Sequence, residues 1–136
     1  MLSVNSYPKS HIDACRLRAK AQVSAYKKLI ATTKTDPAVA AFEPVFFNNM
    51  VIVLDSYFVH RSRTMEGKDG NPLNEVRIIC NSLIQHGGIM TADKSIRLNP
   101  AKSLLKCQFG DDINVTEADF LRLSAAFFAE IESKYP

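Results

Sequence analysis

The chain has no tryptophan, only five glycines and three cysteines, and nowhere a run of about 18 uninterrupted apolar residues. Each shortage excludes something. The most apolar window, Val45 to Val59, still contains Asn48, Asn49, Asp55 and Ser56, so no membrane span is expected. Cys15, Cys80 and Cys107 are odd in number, far apart and in apolar surroundings, which suits reduced thiols filling a core rather than a disulfide framework. The glycines do not form a phosphate loop, because Gly67-Lys68-Asp69-Gly70 lacks the longer glycine-rich run with Lys and Ser or Thr that such a loop needs. The opening MLSVNSYPKSH has no basic start, apolar core and small-residue cleavage site, so no secretory signal is read and a cytoplasmic location is expected.

What is present is enough for one self-supporting domain: 136 residues, 46% of them hydrophobic. The net charge of +3 conceals a division. Residues 9–34 carry seven Lys or Arg against Asp13 alone, and residues 111–136 carry six acids against Arg122 and Lys134. Helices from these two segments are expected to lie side by side and attract.

Apolar residues at Ile12, Cys15, Ala19, Val23, Tyr26 and Ile30, after the Ser10 and Asp13 capping pattern, predict a helix over about 10–33. Asp36-Pro37 starts a short helix near 37–42, which Pro44 separates from a long, central one over about 44–64. Asn71-Pro72 begins a helix over 72–86, stopped by Gly87-Gly88, and Thr116 to Asp119 caps a last one over 117–134. Between them, residues 89–115 lose periodicity and read as irregular, with short strands at 103–109 and 112–115. The predicted fold is all-α, a four-helix bundle with this excursion folded over one end.

The chemically capable side chains crowd into one junction between helices: His60, Arg61, Arg63, Glu66, Lys68, Asp69, Asn71, Asn74, Glu75 and Arg77. A helix N-terminus at Asn71 offers free N–H groups and a positive dipole end, and beside Arg61, Arg63 and Lys68 it predicts a site for a carboxylate or phosphate. The same composition also reads as structure, with Glu66, Asp69 and Glu75 neutralising the arginines and Asn71 capping the helix. An enzyme would use His60 with Glu66, Asp69 or Glu75 as acid and base.

Other chemistries have less behind them. His11, His60 and His86 cannot share a metal in an alternating bundle, because the 72–86 helix puts about 22 Å between its ends. No His-x3-His, Glu-x2-His or Cys-x2-Cys spacing is present, so no metal or cofactor is expected. No nucleophile elbow surrounds any serine or cysteine, Cys80 faces the core, and Asp55 is placed on a polar edge with Asn48 and Ser62. Arg16, Lys20, Lys27 and Lys34 form a basic stripe, but the modest charge and the acidic last helix argue against nucleic acid. A homodimer is expected through the central and last helices, since Ile52 and Val59 lie outside the main apolar face and Phe127 and Phe128 are adjacent.

The segments HRSRTMEGKDGNPLNEVRIICNSL and FGDDINVTEADFLRLSAAFFAEIE resemble a group of small bacterial proteins with no assigned activity, over roughly residues 45–134. The resemblance implies a bacterial, cytoplasmic protein and supplies no catalytic residue. The first functional expectation is therefore a non-enzymatic binding or interaction module with an anionic ligand at the junction.

Overall fold

Two helices begin at a capping side chain followed by proline. In the computed structural model, which describes residues 3–33 and 35–136, the Asp36 carboxylate accepts the Ala38 N–H ahead of Pro37. Asn71 likewise accepts from Leu73 and Asn74 ahead of Pro72. Proline fits there because its missing N–H would have had no partner in a first turn. The described helices are α1 (Lys9–Thr33), α2 (Pro37–Ser56), α3 (Arg63–Glu66), α4 (Pro72–Gln85) and α5 (Glu117–Lys134), with a 3-10 turn at Pro100–Lys102. The protein is all-α. α4 ends where Gly87 and Gly88 take φ of 62° and 83°, and α5 starts with a complete capping box between Thr116 and Asp119.

α2, α4 and α5 pack against one another, and α1 rests on α2 and α5. The core they share includes Phe47, Leu54, Leu73, Ile79, Leu123 and Phe127, all fully buried. Each such side chain contributes about 1.5–3 kcal/mol relative to exposure. The basic α1 and acidic α5 do lie together: Arg16 pairs with Glu132, and Lys27 with Glu117 at 3.1 Å. These pairs occupy two residues of the basic stripe; Lys20 stays exposed, and Lys34 lies outside the described residues.

Five expectations need correction. Pro44 does not divide the second helix but sits inside α2. Its ring removes the hydrogen bond to the carbonyl of Ala40, a solvent-exposed residue, so water can serve instead. α2 also stops at Ser56 rather than near 64, because Val4 exchanges backbone hydrogen bonds with His60 and Ser62, both 2.8 Å, and draws the chain out of the helix. Ser10 does not cap α1, which starts one residue earlier; Asp13 pairs instead with Lys9 and Arg16.

Next, residues 103–109 and 112–115 form no strands among the described residues, only an isolated bridge between Ile89 and Asp112. Helix side chains take the place of strand partners. Asn48 donates to the Ile113 carbonyl and accepts the Val115 N–H, the Glu75 carboxylate accepts the N–H groups of Leu104 and Leu105, and the Ser82 hydroxyl accepts that of Thr91. The excursion is thus held by three helix side chains, which satisfy five of its backbone groups. Finally, Phe127 and Phe128 are both buried, because α5 is flanked on more than one side: Phe127 meets Phe58 and Arg61, and Phe128 lies under Arg16. Neither aromatic ring is free for a dimer interface.

Candidate functional site

The turn after α2 carries Arg61 inward, and every nitrogen of its guanidinium donates a hydrogen bond. Its Nε donates to Glu66 at 2.8 Å, Nη1 to Asp55 at 2.8 Å and to the Phe58 carbonyl, and Nη2 to the Leu73 carbonyl. The plane lies over the Phe127 ring at 5.5 Å. Neither the Arg61 nor the Glu66 side chain is exposed at all.

Glu66, on the single turn α3, is saturated. Oε1 accepts from Arg61 and from Arg77 Nη2 at 2.6 Å, and Oε2 accepts from Arg77 Nε at 2.9 Å and Asn74 at 2.8 Å. Burial alone would raise its carboxyl, but the Arg77 hydrogen bonds, the charges of Arg61 and Arg77 and the Asn74 amide outweigh that and hold it below the ordinary value. Burial pulls the Arg77 guanidinium the other way, yet the Glu66 carboxylate leaves it raised.

The last turn of α5 closes the cluster. Lys134 donates to the Glu66 carbonyl at 2.8 Å, and the Tyr135 hydroxyl to the Ser62 carbonyl at 2.7 Å. Burial, then the Glu66 charge, pushes the Tyr135 phenol up to about 12.

The predicted junction residues therefore separate into groups. Arg61, Glu66, Asn74 and Glu75 are buried; Asn71 and Arg77 are half-buried; His60, Arg63, Lys68 and Asp69 are exposed. The anion site expected over Arg61 and the Asn71 helix start lacks its donors, since Arg61 is fully engaged and the Asn71 side chain fills the first N–H groups of α4. Nor does His60 hydrogen-bond to Glu66, Asp69 or Glu75 among the described residues. Those carboxylates are turned to Arg61, Arg77 and Asn74, to Asn71, and to Leu104 and Leu105, so the acid-base pairs do not form.

Of the other candidates, His11 stacks on Tyr7 and sits beside Cys15, and no group of three His, Cys, Asp or Glu side chains among the described residues converges as a metal site. Burial pushes the Cys80 thiol well up, which makes it a poor nucleophile at neutral pH. Cys107, expected in the core, is only half-buried.

Uncommitted polarity survives on the outer side of Arg77. A cleft of about 280 Å³ is lined there by Asp55, Arg63, Arg77, Asn81 and Asp93, with buried Cys80 at its base and exposed Ile84 at its rim. Arg77 uses Nε and Nη2 on Glu66, while its Nη1 has no hydrogen-bond partner among the described residues; the same holds for the Arg63 guanidinium. Asp55 accepts from Arg61 through Oδ1, leaving Oδ2 unbonded. Asp93 accepts both the N–H and the hydroxyl of Ser95 through Oδ1, again leaving Oδ2. The Ser95 hydroxyl, then its N–H, hold the Asp93 carboxyl below its ordinary value against a slight effect of burial, and Arg63 and Arg77 add to the pull.

Sequence reasoning did not find Asp93 or Asn81. The Asp93-x-Ser95 pattern was the available signal, since it marks an aspartate locked by its own turn. No known protein family, curated protein or solved structure matches the chain.

Proposed function

We propose that the protein is a non-enzymatic binding module, bacterial and cytoplasmic, whose four long helices form a four-helix bundle. In this reading the ligand presents an anionic group to Arg63 and Arg77. The observation that carries it is the free Nη1 edge of Arg77 in the cleft. Glu66 fixes the other edge of that guanidinium, so binding loses little side-chain freedom. Arg63, exposed and without a partner among the described residues, supplies a second cation at the same mouth.

The test is the thermal unfolding midpoint against phosphorylated metabolites, carboxylates, amino acids and nucleotides. A ligand at 100 times its Kd adds about 2.7 kcal/mol, a shift of several degrees for a chain of this size. At least one compound is expected to raise the midpoint, and the rise should vanish in Arg63→Ala, whose exposed side chain is dispensable for folding. A flat response across the whole panel would overturn the reading.

A second reading, self-association, is favoured by α2. Only 22% of its most apolar 18-residue window is buried, although by length and composition the helix could cross a membrane. One exposed line along it runs through Ala38, Ala41, Val45 and Asn49 towards the half-buried Ile52 and the exposed Ser56, and it has no charge. Even its polar members turn inward, Asn49 to the Val45 carbonyl and Ser56 to that of Val53. Antiparallel pairing of two copies would set the small Ala38 and Ala41 against Ile52 and Ser56, with no like charges opposed. Light scattering coupled to size exclusion is expected to give a dimer mass, and Val45→Glu a monomer. A monomer mass for the unmodified chain at tens of micromolar would remove this reading.

A further inference from the structure

The Arg77 cleft is lined by charges of both signs. Arg63 and Arg77 share it with Asp55 and Asp93, and among the described residues no ion pair joins either arginine to either aspartate. Beneath them, Arg61 and Glu66 add one charge of each sign. Three cations and three anions leave the neighbourhood neutral. A simple anion entering it would gain from the arginines but be repelled by the unbonded oxygens of Asp55 and Asp93, so part of that gain is lost. A ligand with an anionic and a cationic group a few ångströms apart meets charges of both signs with favourable contacts.

We propose that this cleft binds a small zwitterion, an α-amino acid or an amino-carboxylate of similar size. Its carboxylate lies on Arg63 and Arg77 Nη1, and its ammonium on Oδ2 of Asp55 and Asp93. The proposal rests on the reading above that an anionic group sits on these arginines, and it names the ligand class. Size agrees: about 280 Å³ is just under the roughly 300 Å³ at which pockets begin to hold drug-sized molecules. Chemistry agrees at both ends. Arg77 offers its free edge from a guanidinium already oriented by Glu66, and Asp93 is locked by Ser95, so a contact of each sign is in place before the ligand arrives. The base and rim, Cys80 and Ile84, are apolar and favour an aliphatic side chain over an acidic one.

The test begins with the unfolding midpoint of the full chain in the presence of each of the twenty standard L-amino acids. The best of them is then titrated calorimetrically beside its N-acetyl derivative, which lacks the ammonium, and its amide, which lacks the carboxylate. A midpoint rise of about 3 °C or more is expected for at least one aliphatic amino acid. Both derivatives should bind about tenfold more weakly or worse, the worth of one charge-assisted hydrogen bond.

Arg63→Ala and Asp93→Asn should each weaken binding by a similar factor, in proteins that still unfold cooperatively without ligand. An N-acetyl derivative that binds as tightly as its parent, or an Asp93→Asn protein with undiminished affinity, overturns the zwitterion and leaves the anion reading standing. Shifts with carboxylates or phosphates but with no amino acid do the same. No shift with any probe of either kind overturns both.

Discussion

Glu66→Ala is expected to lower the unfolding free energy by about 3–5 kcal/mol, because it removes the one carboxylate that faces two guanidiniums and leaves Arg61 half-paired where its side chain has no exposure. Asp55 would remain on Nη1 of Arg61, yet Nε would point at an empty, dry space. Urea unfolding at neutral pH measures the loss directly. A drop under 1 kcal/mol would mean that water reaches the site.

The same carboxylate gives the stability an acid limb. Its folded pKa is lowered, so its contribution is complete above the ordinary glutamate value of about 4.3 and disappears as the pH falls through the lower folded value. Glu66→Gln should therefore start less stable and lose less below that point. Parallel curves for the two proteins would assign the acid limb to other groups.

Gly70→Ala should cost roughly 2–4 kcal/mol despite adding only a methyl group. Gly70 has φ of 91°, where an L side chain is strained, and a Cβ there would lie 2.3 Å from the Arg97 carbonyl oxygen. That oxygen belongs to backbone, and the Arg97 N–H is bonded to the Lys68 carbonyl at 2.8 Å, so the neighbour cannot step aside without losing its link to the junction. Gly87→Ala makes the natural comparison: its φ is also positive, but nothing lies within 4 Å of an added Cβ, and only the backbone strain remains. Equal losses in the two variants would show that the Arg97 contact is soft.

Helices were legible wherever a residue at the end itself terminates the hydrogen-bond ladder. Asn71-Pro72, Thr116 with Asp119, and Gly87-Gly88 all act within one turn, so local sequence contains their whole cause. The errors have non-local causes. The early end of α2 depends on Val4, more than fifty residues away, and the absence of strands in 103–115 depends on Asn48 and Glu75, which lie on other helices. Pro44 was misread because exposure of the residue at Ala40 decides whether a lost hydrogen bond matters, and exposure is a property of the fold. At the junction, the crowding of Arg61, Glu66, Asn74 and Arg77 was visible, and so was the chance that acids would neutralise arginines. Which guanidinium edge stays free was not, because it follows from Glu66 accepting both Nε and Nη2 of Arg77.

The closure of the junction by Lys134 and Tyr135 has a consequence for the order of events on the ribosome. Synthesis proceeds from the amino end at about 5–20 residues per second, so the 69 residues between Glu66 and Tyr135 take roughly 3–14 s to appear. For that interval Arg61 and Glu66 exist without the helix that covers them. Water screens their charges, and their attraction is weak. The nascent chain thus holds a hydrated, reversible ion pair beside an uncovered apolar α2, and only the arrival of α5 dries it. Commitment to the native packing therefore waits for α5, whose last residues close the cluster.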